Sequence, residues 1–340
     1  MGYGDTVDGI FGKLARVLHM RGTRHDTSKD LERYLDCPLE ELFPEPTLPD
    51  VVRKEPGLFD DPRMEALSWR SGHEPLSDAY RVRHEGDYRK NLTAHATWMH
   101  PKGTRRRSIL LYAHIWLQST PRIEEAIALP LFSKAMDVDV ALIQLPFHGK
   151  RNTKGQLFGG EWFWSADLVR SLEAVRQSVY DVRAAMAYFR SIGYEEVGVA
   201  GISLGGSIAM LSACVEPTPD YIIPIISHLE LVEAIEEAEI LWRMKADLER
   251  FGLDRAARHA LFTRLALHDT KPKLAPERQL WLAAREDRFL TERGVLAQWE
   301  RWGRPGIEWL TGGHMTFVFD TPKMLARMKS MPRLAGAPLR

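Results

Sequence analysis

VGVAGISLGGSIAML, residues 197–211, joins a run of small, strand-forming residues to an apolar segment of helical character. The turn between them holds Gly201, Ser203, Gly205 and Gly206. Glycine accepts backbone angles and close approaches that a side chain blocks. Two readings follow. Either the turn is merely tight, or it thrusts the Ser203 hydroxyl clear of a sheet to do chemistry.

Working outward, the neighbouring segments repeat the strand-then-helix theme. SILLYAHIWLQ (108–118), VDVALIQLP (138–146) and YIIPIIS (221–227) are continuous apolar runs of the kind found in strands covered on both faces. QLWLAAR (279–285) and IEWLT (307–311) complete the series. Between residues 165 and 193, Leu168, Leu172, Val175, Val179, Val182 and Met186 recur at helical spacing, and Ser-Ile-Gly supplies a stop. PRIEEAIALPLFSKAM (121–136) and GVLAQWERWG (294–303) read as further helices. Strands alternating with helices predict an α/β fold, a mostly parallel doubly wound sheet with right-handed crossovers and helices on both faces. YRVRHEG (80–86) and NLTAHATWMHP (91–101) alternate and read as edge strands joined by a turn. Residues 1–79, rich in Pro, Asp and Glu beyond their first helix, form a helical and irregular extension. Residues 80–227 and 277–330 form the core, and 228–276 insert two or three helices read as a cap over the strand ends, with an ordinary helical extension as the equal alternative. Residues 7–18 suit an amphipathic helix with Ile10, Phe11, Leu14 and Val17 on one face, packed on its own domain rather than on a membrane surface.

Composition bounds the function. The 340 residues carry 46 Lys and Arg against 46 Asp and Glu, so the formal net charge is zero and gives no electrostatic case for a nucleic-acid partner. KGTRRRS (102–108) reads as a solvated turn before a strand. The two cysteines, Cys37 and Cys214, are not in a CxxC pair, which argues against a cysteine-built zinc site and for a reducing, cytoplasmic setting. The first twenty residues lack the apolar core of a signal peptide, and no stretch approaches a membrane span. Gly2 and Thr6 match the bare myristoylation pattern, but a bulky Tyr3 makes coincidence the better reading.

Gly-Ile-Ser-Leu-Gly (201–205) is the GxSxG nucleophile elbow, a sharp strand-to-helix turn that exposes the serine oxygen. A serine hydroxyl needs a base to take its proton. His314, in EWLTGGHMTF, lies just beyond the last strand, beside Gly312 and Gly313. The imidazole needs an acid to fix its tautomer. Asp287, in LAAREDRFL, lies beyond the preceding strand; Glu286 is its competitor, and Glu230 a lesser one. All three chosen residues fall at carboxyl ends of strands, where open parallel sheets place ligands, and in the order Ser, Asp, His. Other histidines, such as His259 and His268, read as ordinary helix residues.

With these residues in place, the chain resembles the α/β-hydrolase superfamily over residues 80–330. The resemblance implies an oxyanion hole built from the N–H of Leu204 and an N–H of the loop after SILLYA. His114 matches the histidine of the frequent His-Gly motif there, which points to Trp116 with Ile115 as the near alternative; Ile115 stands where glycine is usual, and His114 itself reads as structural. LPFHGKRN (145–152) looks like a little-characterised branch of the superfamily that includes eukaryotic members of uncertain substrate. Its Lys150 and Arg151 suit a surface turn better than a contact to a substrate carboxylate or phosphate. The expected activity is serine esterase chemistry, cleavage of a carboxylic ester through an acyl-enzyme on Ser203, with no metal or organic cofactor. A peptidase, thioesterase or acyltransferase with the same triad, or a non-catalytic scaffold, are the alternatives. Ile240, Leu241, Trp242, Met244, Phe251 and Leu253 in the cap suggest a small, hydrophobic ester-like substrate, with helix packing as the competing role. Nothing in the sequence bears on oligomeric state.

Overall fold

A computed structural model describes residues 2–18, 22–23, 26–57, 61–101, 105–265, 269–331 and 338–339. Among these, nine strands form one sheet: β1 (Val52–Lys54), β2 (Met64–Arg70), β3 (Thr93–Met99), β4 (Ser108–Ala113), β5 (Asp139–Gln144), β6 (Glu196–Ile202), β7 (Tyr221–Ile225), β8 (Leu280–Ala284) and β9 (Gly306–Leu310). Their order is β1-β2-β3-β5-β4-β6-β7-β8-β9. From β5 to β9 every pairing is parallel, while β3 runs antiparallel to both β2 and β5. The described helices used below are α1 (Tyr3–Leu18), α2 (Asp78–Glu85), α3 (Leu129–Met136), α4 (Leu168–Ser191), α5 (Leu204–Ser212), α6 (Leu231–Glu237), α7 (Trp242–Arg250), α8 (Arg255–Thr263), α9 (Glu292–Arg301) and α10 (Thr321–Lys329).

The alternation of side chains along a strand sorts the core into two layers. Ile109 and Leu111 of β4 pack with Val175, Val179 and Val182 of α4 and Ile208 of α5. Leu110 and Tyr112 face the opposite way, onto Phe132 and Met136 of α3 and Met324 and Met328 of α10. Both faces are therefore covered, as the unbroken apolar runs of β4, β5, β7 and β8 require.

Three expectations need correction. Residues 80–86 are not a strand: 80–85 are most of α2, begun by Ser77, whose side chain accepts the Tyr80 N–H at 3.2 Å, and Gly86 caps its end. Tyr80, Val82 and His84 mimic a period of two; in the helix Tyr80 and His84 are buried and Val82 is 74% exposed. The true neighbour of β3 is β2, so the segment before residue 80 supplies two strands of the sheet. In α1 the inward stripe is Gly4, Asp8, Gly9 and Gly12, whereas Ile10 and Leu14 are 64% and 56% exposed. The Val17 side chain, like His268 and Lys102 to Thr104, lies outside the described residues. The rest of the basic run is not simply solvated: Arg106 pairs with Asp137 and Asp139, and Arg105–Arg106 form a small antiparallel ladder with Pro338–Leu339.

Helix α4 is buried nearly all round. Its second face carries ionised groups that the early segment satisfies. The Glu173 carboxylate accepts from Tyr34 Oη (2.5 Å) and Arg176 (2.7 Å) and pairs with His73 (2.8 Å). Arg176 donates to the Leu42 carbonyl, and Arg183 to those of Phe43 and Pro44. Asp181 takes bonds from Ser71 and from Arg151. Burying such charges is tolerable only because each is matched by partners.

Candidate active site

The elbow forms because β6 ends where α5 must begin. Ser203 has φ +54°, a strained value for a residue with a side chain. Its N–H donates to the Ile225 carbonyl at 2.9 Å, and its carbonyl accepts from Ser227 Oγ at 2.9 Å, so both flanks of the turn are tied to the end of β7. The glycines are required by space. A Cβ on Gly205 would overlap the Ala113 carbonyl, and one on Gly201 the backbone of Gly205.

The structure brings Ser203, Asp287 and His314 together. His314 Nε2 lies 3.0 Å from Ser203 Oγ, and His314 Nδ1 lies 2.7 Å from Asp287 Oδ2. The other carboxylate oxygen of Asp287 accepts the N–H groups of Phe289 and Leu290, each at 2.8 Å. An acceptor carboxylate at Nδ1 assigns the proton to that nitrogen and leaves the Nε2 lone pair toward Ser203. Burial alone would lower the imidazole pKa; the charge and hydrogen bond of Asp287, with a further contribution from the charge of Asp8, outweigh it and hold the value above that of an ordinary histidine.

The competing acids are placed elsewhere. Glu286 turns away to cap α1, accepting the Gly4 N–H at 2.7 Å. Glu230 pairs with Arg301. His259 sits on α8, as the sequence suggested.

A cavity of about 470 Å³ opens at Ser203 and His314. Its walls are largely aliphatic and aromatic, and come from α1 (Phe11), the loop after β4 (Ile115, Trp116), α5 (Leu204, Leu211) and the segment after β7 (Leu231, Ile240, Leu241). Of the cap residues singled out in the sequence, Ile240 and Leu241 line this cavity; Met244 is buried in the core, and Phe251 and Leu253 pack against it. Among the described residues no cluster of His, Cys, Asp and Glu could hold a metal ion, and no helix is long and apolar enough to cross a membrane.

Comparison with known proteins places this architecture. The family model "Alpha/beta hydrolase domain containing 18" matches residues 91–234. The acetyl xylan esterase from Paenibacillus sp. R4 superposes with a TM-score of 0.60 over 94% of this chain and 99% of that one, at 13% identity. Acetyl xylan esterase 1 from Thermoanaerobacterium sp. JW/SL YS485 gives 0.55 over 94% and 98%, again at 13% identity. The chain has the α/β-hydrolase fold, and its residues 91–234 are similar to that family. Two uncharacterized proteins of Mycobacterium tuberculosis, from strains CDC 1551 / Oshkosh and H37Rv, are each 31% identical over 193 residues. That match covers 55% of this chain and 44% of each relative, so it spans less than half their length.

In this fold the loop after β4 is held by a structural histidine. His114 Nε2 accepts the Leu145 N–H at 3.0 Å, so its proton resides on Nδ1, which donates to the Ile115 carbonyl at 2.7 Å. Burial pushes its pKa down to about 4, and it stays neutral. Trp116 Nε1 donates to the Gly160 carbonyl at 2.8 Å, anchoring the same loop to the segment after β5. Arg151 is not on a surface turn and does not reach the cavity: it is fully buried on Asp181, Gln144 and Asn91, whereas Lys150 is exposed.

Sequence reasoning missed one member of the surroundings. Asp8 of α1, fully buried, accepts backbone N–H groups of Arg288, His314 and Met315. The only trace in the sequence is its position four residues from both Gly4 and Gly12, on a stripe of small residues.

Proposed function

We propose that this protein is a serine hydrolase that cleaves carboxylic esters with hydrophobic acyl groups. The observation that carries the reading is the hydrogen-bonded series Asp287–His314–Ser203 ending on an apolar cavity. His314 Nε2 takes the Ser203 hydroxyl proton as Oγ attacks the ester carbonyl. The backbone N–H groups of Leu204, at the start of α5, and of Trp116 receive the oxyanion. Collapse of the tetrahedral intermediate breaks the ester bond, and His314 returns the proton to the departing alcohol oxygen. Water, deprotonated by the same imidazole, then attacks the acyl-enzyme and frees the acid. Asp287 orients the ring and stabilises the imidazolium throughout.

Residues 228–276 act as a cap in this scheme, with α6 and the turn after it closing the acyl side of the cavity. The two free cysteines suit a reducing compartment such as the cytoplasm. The test is labelling by a fluorophosphonate probe together with hydrolysis of p-nitrophenyl butyrate. Wild type should react in both, and S203A in neither. Unchanged labelling of S203A, or an inert wild type, rejects the reading in favour of another nucleophile or of a scaffold that only binds.

A further inference from the structure

Three N–H groups from the acid and base loops converge on one carboxylate that comes from the opposite end of the chain. Asp8 Oδ2 accepts from His314 N at 2.6 Å and from Arg288 N at 3.2 Å, and Oδ1 accepts from Met315 N at 2.9 Å. The two loops follow different strands, β8 and β9, and Asp8 bridges them. Helix α1 can come this close because its inward stripe lacks side chains. A Cβ on Gly4 would overlap the Gly313 nitrogen, and one on Gly9 would lie 2.7 Å from the Arg288 guanidinium. Glu286, beside the acid, caps the same helix. Position 8 is therefore held from both sides.

Resting on the hydrolase reading above, we propose that Asp8 is a positioning residue for His314: its carboxylate clamps the 287–288 and 314–315 backbones together and sets a second negative charge beside the imidazole. The titratable groups facing that ring are Asp287 and Ser203 from the neighbouring loops, Asp8 from α1 and His228 from the segment after β7. His228 is held neutral, its pKa pushed down to about 4 by burial. The Arg288 guanidinium is directed to Asp5 and Glu239, away from the Asp8 carboxylate. Asp8 is thus the one charge outside the triad in this group, and it favours the imidazolium.

The test is the pH dependence of p-nitrophenyl butyrate hydrolysis by wild type, D8N, G4A and D5N, with folding checked by thermal melting. Asparagine offers one carbonyl oxygen and turns an amide N–H toward one of the three donors. D8N should lose on the order of 10–100-fold in kcat, as a misplaced base does. The acid limb of its profile should also move to lower pH by about half a unit or more, because the charge favouring the imidazolium is gone. G4A, which lifts the helix without touching the carboxylate, should lower kcat in the same direction. D5N removes an equal charge from the same helix on its half-exposed side and should leave limb and kcat in place. A folded D8N or G4A with wild-type kcat, an unmoved limb in D8N, or a D5N limb shift equal to that of D8N overturns the proposal. If D8N does not fold, G4A decides alone. Failure of the hydrolase reading itself would appear differently, as a wild type that neither labels nor turns over.

Discussion

Replacing Asp287 by asparagine separates geometry from protonation. The Asp287 oxygen that accepts from Phe289 N and Leu290 N, each at 2.8 Å, has a counterpart in the amide carbonyl. The oxygen 2.7 Å from His314 Nδ1 becomes an NH₂ group. That group donates where the carboxylate accepted, so Nδ1 must give up its proton and Nε2 must carry it. An Nε2–H aimed at Ser203 Oγ, 3.0 Å away, has no lone pair for the hydroxyl proton. The expected loss is on the order of 10⁴ in kcat, the scale seen when a triad histidine is held in the wrong tautomer. At ~1.4 kcal/mol per factor of ten this corresponds to about 5.5 kcal/mol of transition-state stabilisation. Stability should change by less than about 1 kcal/mol, since both backbone contacts persist. The assay is steady-state hydrolysis of p-nitrophenyl butyrate with melting curves, run beside E286Q. The Glu286 replacement keeps a carbonyl for the Gly4 N–H, so its kcat/KM should fall less than about threefold, or ~0.6 kcal/mol. A D287N variant retaining more than about a tenth of wild-type kcat, or an E286Q loss of equal size, would refute the assignment of the acid.

G205A should abolish soluble folded protein or destabilise it by about 3 kcal/mol or more, because the new methyl meets the Ala113 backbone rather than a movable side chain; urea melts check this. Burial alone would raise the Glu173 pKa, but His73, Arg176 and Tyr34 outweigh it and hold the carboxyl at about 2. A depressed carboxyl stabilises the fold above its unfolded pKa and loses that contribution as pH falls through the folded value. The stability gap between wild type and E173Q should therefore narrow by roughly 3 kcal/mol between about pH 6 and pH 2, read from denaturant melts. I240A removes part of the cavity wall and should lower kcat/KM for an octanoyl ester about tenfold while sparing the acetyl ester; equal effects on both would show that Ile240 does not touch the acyl chain.

The parallel part of the sheet was legible because strands covered on both faces leave unbroken apolar runs, as in SILLYA and YIIPI. Ser203 and Asp287 each follow such a run, His314 follows the partly exposed edge strand β9, and the chain order of the three matches the elbow. The antiparallel edge was not legible. β2 places Glu65 at an inward position, where it pairs with Arg53 and His100, so its alternation is not one of apolar against polar. α2 was mistaken for a strand because Tyr80, Val82 and His84 imitate the shorter period. Asp8 was hidden for a different reason: its value lies in three backbone N–H groups some 280 to 307 residues away, contacts that local pattern cannot encode.

The three-residue β1 closes one side of the sheet, with Val52, Arg53 and Lys54 all exposed. A short, cationic outer strand is a poor template for another chain's backbone. Cutting the chain back to residue 80 would remove it together with β2 and bare the seven-residue flank of β3, which carries Ala94, Ala96 and Trp98. The early segment is thus also a guard against self-association, and shortened forms should precipitate before their chemistry can be measured.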